Sequence, residues 1–262
     1  MTRYLLPTLA ASTIAILFVI NTCPASVDKA PWTPTLPADV YKILTERSIM
    51  TIEATAKSGG DGAASRIDAE ALILAGYTFS VKDASTKLRD KALFASVKAR
   101  TNAIKELADF SKLDAAEAKA DLKQLLSRKE SLAAIMEIYR NKAKGGEGIH
   151  ADLQYQPKLK NQNGIEALIG ALASKKLNEA NLDKVAVELP RLSYRIAVTA
   201  NLTQVAAPAK GKERWAALSV KMRDASTALA ESAQKKNADG IVKAADSLQN
   251  SCTECHREFR AK

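Results

Sequence analysis

The stretch IVKAADSLQNSCTECHREF, residues 241–259, decides the fold. Ile241, Ala245, Leu248, Cys252, Cys255 and Phe259 follow one another at spacings of four, three, four, three and four residues. That rhythm places all six on one face of a helix and makes the face a seam directed at a core. No Pro or Gly interrupts it. Upstream, Trp215, Leu218, Met222, Ala225 and Leu229 form a matching seam. Two amphipathic helices in succession, each with a continuous apolar stripe, are the beginning of a helical bundle.

The rest of the chain continues in the same idiom. Its 262 residues are 47% hydrophobic, with 5% aromatics, and Gly and Pro fall in short clusters. Helical patterns are expected at about Asp39–Ala56, Ala63–Ser80, Thr86–Phe110 and Ala115–Arg140. Four more are expected at Ile165–Lys176, Asn181–Gln204, Lys212–Gln234 and Asn237–Arg260. Between the two sets, Lys144-Gly145-Gly146-Glu147-Gly148, Pro157 and Asn161-Gln162-Asn163-Gly164 read as a linker. Sliding the sequence by 123 positions lays Ser96-Val97-Lys98-Ala99-Arg100 on Ser219-Val220-Lys221-Met222-Arg223, and Lys112, Ala115 and Leu125 on Lys235, Ala238 and Leu248. This is the mark of a duplicated four-helix unit. The fold class expected is therefore all-α, as two tandem antiparallel four-helix bundles.

Compartment and charge restrict the function. Arg3, the uncharged apolar stretch from Leu5 to Ile20 and the small residues around Ala25 read as a secretory signal over residues 1–25. The apolar stretch, broken by Pro7, falls short of the roughly 20 residues of a spanning helix, so no stable membrane span is expected once the signal is cleaved. Residues 26–38, with Pro31, Pro34 and Pro37, read as an extended connector. Removing residues 1–25 removes Arg3 and no acid, so the net charge of +10 becomes +9. Lysines are scattered among acids and aromatics are few, which argues against nucleic acid and for a solvated exterior suited to acidic protein partners.

Cys252-Thr253-Glu254-Cys255-His256 has the form C-x-x-C-H, the attachment sequence of c-type haem. On a helix, thiols at i and i+3 reach the same porphyrin and the imidazole at i+4 reaches its iron. Three other readings compete: a redox disulfide at a strand-to-helix junction, half of a zinc site, and a structural disulfide. The expected cofactor is one haem c, covalent through Cys252 and Cys255, with His256 as the metal ligand. Lys129, Leu132 and Ala133 stand at the corresponding places of the first repeat, so residues 39–143 are expected to form a haem-free bundle and residues 164–262 the haem-binding one.

The ending Cys252 to Arg260, C-x-x-C-H-x-x-F-R, resembles the class II c-type cytochromes, the cytochrome c′ superfamily. The likeness extends to Trp215 and to the turn Lys236-Asn237-Ala238-Asp239-Gly240, and covers residues of about 164 to 262. It implies an antiparallel four-helix bundle, haem buried among its helices and a bacterial periplasmic location. It also implies that Arg260 pairs with a haem propionate; a solvated Arg complementing the helix dipole is the other reading. Phe259 belongs to the core seam under either. Low-spin relatives bring a methionine to the iron from the first helix of the bundle. Here that helix holds neither Met nor His, and Leu168 and Leu172 are its apolar candidates. Met222 is a lining residue on the inward seam, Met50 a core residue of the first repeat, and His150 an exposed loop residue. Relatives often pair as dimers, and the haem-free repeat would supply an equivalent surface as an intramolecular pseudo-dimer. The expected function is periplasmic one-electron transfer with exported redox partners, the alternative a five-coordinate haem that binds or sequesters NO or CO. Catalysis is not expected, because the helices around the haem hold no second histidine for acid–base work.

Overall fold

The computed structural model of the protein describes residues 36–81 and 129–259. Among these residues there are nine α-helices and no strand. They are α1 (Ala38–Ser58), α2 (Ala63–Ser80), α3 (Lys129–Glu137), α4 (Pro157–Asn161), α5 (Ile165–Ser174), α6 (Glu179–Val185), α7 (Glu188–Val205), α8 (Lys212–Gln234) and α9 (Ala238–Phe259). Short 3₁₀ turns occupy Lys142–Lys144 and Ala151–Leu153. The signal expected at 1–25, nearly all of the expected connector, the helix expected at Thr86–Phe110 and most of that at Ala115–Arg140 lie outside the described residues.

The C-terminal helices follow the apolar rhythm of the sequence. α7 packs on α8, α8 on α9, and α9 on α5. Short connections at 206–211 and 235–237 turn the chain back on itself, which makes successive neighbours antiparallel. At the α8–α9 turn the Asn237 N–H bonds to the Ser232 carbonyl and the Lys236 N–H to that of Ala233, with Lys236 at φ 51°. This is a Schellman stop with lysine in the left-handed place that glycine usually takes. Asn237 then starts α9 by accepting the Gly240 N–H on its side chain at 3.0 Å.

The continuous helix expected at Asn181–Gln204 is instead two, α6 and α7, separated by a turn at Ala186 and Val187. Pro190 is the cause. It has no N–H for the Ala186 carbonyl and its ring would collide with that carbonyl, whereas the first turn of a new helix tolerates it.

α7 is the centre of the molecule. From 193 to 203 every residue is buried, polar ones included. α8 covers one side and α2 another, so the two halves of the chain share one hydrophobic cluster. α2 approaches α7 closely at Gly76, where a Cβ would stand 2.9 Å from Val198 Cγ1 and 3.2 Å from Leu202 Cγ. Beside this contact Arg195 donates to both oxygens of Glu70 (2.9 and 2.7 Å), to Glu147 (2.7 Å) and to the Tyr77 hydroxyl (3.3 Å). Ser48 adds a hydrogen bond to Glu70. Arg47 of α1 holds Glu188 at the start of α7 through two bonds, 2.5 and 2.9 Å.

Two expectations change. Residues 144–163 are not a free linker: Leu153 and Leu159 are buried, and Asn163 accepts the Lys142 N–H on its carbonyl and the Ile149 N–H on its side chain. Gly146 permits this packing, since a Cβ there would lie 1.9 Å from the Arg140 carbonyl oxygen. Met50, expected in a core, is 68% exposed on α1, because α1 turns Val40, Tyr41, Leu44, Ser48 and Ile52 inward instead.

Candidate functional site

α9 carries the site on its last two turns. Ile241, Ala245 and Leu248 are buried, as the seam requires, but its continuation through Cys252, Cys255 and Phe259 is only half-buried. The core-facing side of the helix thus opens where the cysteines stand. Both are free thiols, and His256 is exposed one turn beyond Cys252. Burial pushes the Cys252 thiol up to about 11 and raises that of Cys255, so both are protonated at neutral pH.

The opposite side of the motif is fastened to α8. Glu254 accepts from Arg214 at 2.9 Å and from Lys221 at 3.1 Å, while Glu258 accepts from the same arginine at 3.1 Å. Such exposed pairs are individually weak. Together they fix the rotation of α9 so that the thiols face inward. Phe259 lies edge-on to Trp215, with ring centroids 5.1 Å apart and planes at 83°. Trp215 in turn donates its Nε1–H to the Thr203 carbonyl at 2.6 Å. Gly211, at φ +78° before α8, allows the close approach: a Cβ there would be 3.0 Å from the Phe259 ring. The end of α9 is therefore braced by α7 and α8 together.

Of the other residues read from the sequence, Leu168 is fully buried on α5, the helix that packs against α9, as is Leu172. Met222 is half-buried against the core. His150 is exposed and caps a 3₁₀ turn, its Nδ1 accepting from the Asp152 N–H at 3.3 Å. Arg260 lies outside the described residues. Sequence reading missed the clamp of Arg214, Lys221, Glu254 and Glu258, although the i, i+4 acids within the motif and the bases on the preceding helix were its available signal. It also missed Glu166 at the first turn of α5, which bears electrostatically on Cys252.

The competing readings of the motif can be tested against this geometry. Neither thiol is in a disulfide, no strand leads into α9, and no group of three or more His, Cys, Asp or Glu among the described residues could hold a metal ion. Two uncrosslinked thiols one turn apart, an imidazole next to the second of them and an apolar face left half-covered are what a covalently held porphyrin needs. The residues present fit a haem.

No curated protein and no solved structure matches the chain. Residues 198–260, from the middle of α7 to the end of the motif, match the family model described as Cytochrome C′, which supports a cytochrome c′-type domain in the C-terminal part of the chain.

Proposed function

We propose that the protein is a periplasmic one-electron carrier holding a single haem c. The observation that carries the reading is the pair of free, half-buried thiols of Cys252 and Cys255 at the open end of the α9 seam, with His256 next to Cys255 and one turn beyond Cys252. In this reading Cys252 and Cys255 hold the haem covalently and His256 is its iron ligand. When bound, the haem supplies a one-electron couple whose potential the surrounding chain tunes. Trp215 and Phe259 wall the pocket at the α8 end, and Leu168 and Met222 line it. The resemblance implies that Arg260 would pair with a propionate of the bound haem. The α8–α9 ion pairs keep the site rigid, which limits rearrangement as the iron changes charge.

Residues 1–25 act as the export signal in this account, and no helix among the described residues is long and apolar enough to cross a membrane. A basic surface favours acidic redox partners. The docking of α1 and α2 on α7 supports the pseudo-dimer reading, the N-terminal half covering a face that would otherwise seek a second chain. No catalytic role is proposed, since α5, α7, α8 and α9 hold no histidine besides His256.

The buried Leu168 and Leu172 favour a second reading, an iron with an open sixth position able to bind NO or CO. A reductive titration of the mature, haem-loaded chain, followed by carbon monoxide, separates the two. Reversible one-electron reduction with sharp, split visible bands and no response to the gas supports a closed carrier. A broad high-spin band that changes on adding the gas supports the open site. An iron that cannot be reduced and reoxidised reversibly overturns electron transfer.

A further inference from the structure

Beside the motif the chain offers one further donor suited to iron. α5 and α7 hold neither Met nor His, whereas α8 holds Met222. The other methionines and the other histidine among the described residues are placed elsewhere. Met50 is exposed on α1, Met136 belongs to α3, which packs on α2, and His150 engages its Nδ1 with the Asp152 N–H.

The register of α8 against α9 places Met222. Trp215 meets Phe259 with ring centroids 5.1 Å apart. Seven steps on from Trp215 and seven back from Phe259, about two turns along each of these antiparallel helices, lead to a second facing pair, Met222 and Cys252. The neighbouring ion pair agrees, with Lys221 Nζ 3.1 Å from Glu254. Burial singles out the same level. Trp215 and Leu218 before Met222, and Ala225 and Leu229 after it, are buried, so of these five seam residues only Met222 is partly open. It packs against the core where the α9 seam opens at Cys252, which is likewise partly open. Leu168 and Leu172 on α5 are by contrast wholly enclosed. His256 follows Cys252 by one turn, so the thioether and the imidazole stand at levels about 5 Å apart along α9, a separation that admits a flat porphyrin between two axial donors.

We propose that Met222 is the second axial ligand of the haem iron, its sulfur closing the face opposite His256 in a six-coordinate, low-spin centre. The inference rests on the haem reading and narrows it to a closed electron carrier. A thioether suits the role: its soft lone pair binds iron without the loss of a proton, and it favours the reduced state. The unbranched methionine stem turns about three bonds, so the sulfur can reach the metal while the α8 backbone keeps its packing. The ligand then comes from α8 and not from the first helix of the bundle, where the sequence has only Leu168 and Leu172 to offer.

The test compares the mature, haem-loaded wild type with Met222→Leu, a swap that conserves volume. The oxidised wild type should show the weak far-red charge-transfer band of sulfur bound to ferric iron, and its reduced form should ignore carbon monoxide. Met222→Leu should keep its covalent haem, lose that band, become high-spin, bind carbon monoxide and fall in reduction potential. Met222→His should restore the low-spin spectrum without the far-red band. A residue that only fills space would lower the melting temperature of Met222→Leu and leave band, spin state and potential unmoved; that pattern overturns the proposal. The wild-type band reads the sulfur without any substitution, so its absence overturns the proposal even where the variants fail to fold. A high-spin wild type that takes up carbon monoxide overturns it while leaving the haem reading intact, and a wild-type chain that loads no covalent haem overturns both.

Discussion

At the scale of single residues, the candidate site was legible because the motif that marks it is local. Cys252, Cys255 and His256 sit within two turns of one helix, and the spacing that defines their chemistry is written in consecutive positions. Arg195 is the opposite case. Its partners Glu70 and Glu147 stand 125 and 48 positions away, and no periodicity connects them. Removing one partner leaves a charge buried without compensation, so Glu70→Ala should destabilise the protein by about 3–5 kcal/mol in urea unfolding. A loss comparable to a surface substitution would show that water reaches Arg195. Glu188 offers a test in pH. Burial pushes its carboxyl up, but Arg47 and Arg191 outweigh this and hold it below the ordinary carboxylate range. A depressed folded-state value gives stability that is complete above the unfolded value of about 4.3 and is lost as pH falls through the folded one. Unfolding midpoints of the wild type should therefore drop more steeply below about pH 4 than those of Glu188→Gln. Parallel curves would mean that the Arg47 pairing contributes nothing.

At the scale of elements, α2 and α8 have the boundaries that their apolar rhythm and glycine punctuation indicate, at Ala63–Ser80 and Lys212–Gln234. The break between α6 and α7 was also present in the sequence, in Pro190, but the apolar pattern of α6 runs on into α7 and conceals it. Periodicity reports faces, whereas only the missing N–H reports the interruption. The α8–α9 turn carries a different residue cost. Lys236 occupies left-handed space that disfavours a Cβ by roughly 1–2 kcal/mol, and its ion pair with Asp183 is exposed. Lys236→Gly is thus expected to raise thermal stability, and a lowered melting temperature would show that the Asp183 contact matters more than the backbone. Gly76 is the converse. Its close approach to Val198 and Leu202 leaves no room for a branched side chain, so Gly76→Val should cost about 1–3 kcal/mol by separating α2 from α7. Urea denaturation measures this directly.

At the scale of the whole molecule, the all-helical class was legible from composition and rhythm, but the way the halves meet was not. α7 reads as an amphipathic helix of one bundle; in the structure it is enclosed by both halves, and its polar residues find partners in α1 and α2. A shortened chain beginning at Gly164 would uncover that face and strand Arg195, so it should self-associate in light scattering where the mature chain remains monomeric. A monomeric, cooperatively unfolding fragment would contradict the shared core. The central claim is that Cys252, Cys255 and His256 hold a haem, and its most direct test is the mature chain made in a host with c-type haem maturation. Mass spectrometry after denaturation should find one haem still attached to the chain, and none after Cys252→Ala and Cys255→Ala together. A chain that emerges at its bare polypeptide mass, without a haem absorption band, would contradict the account.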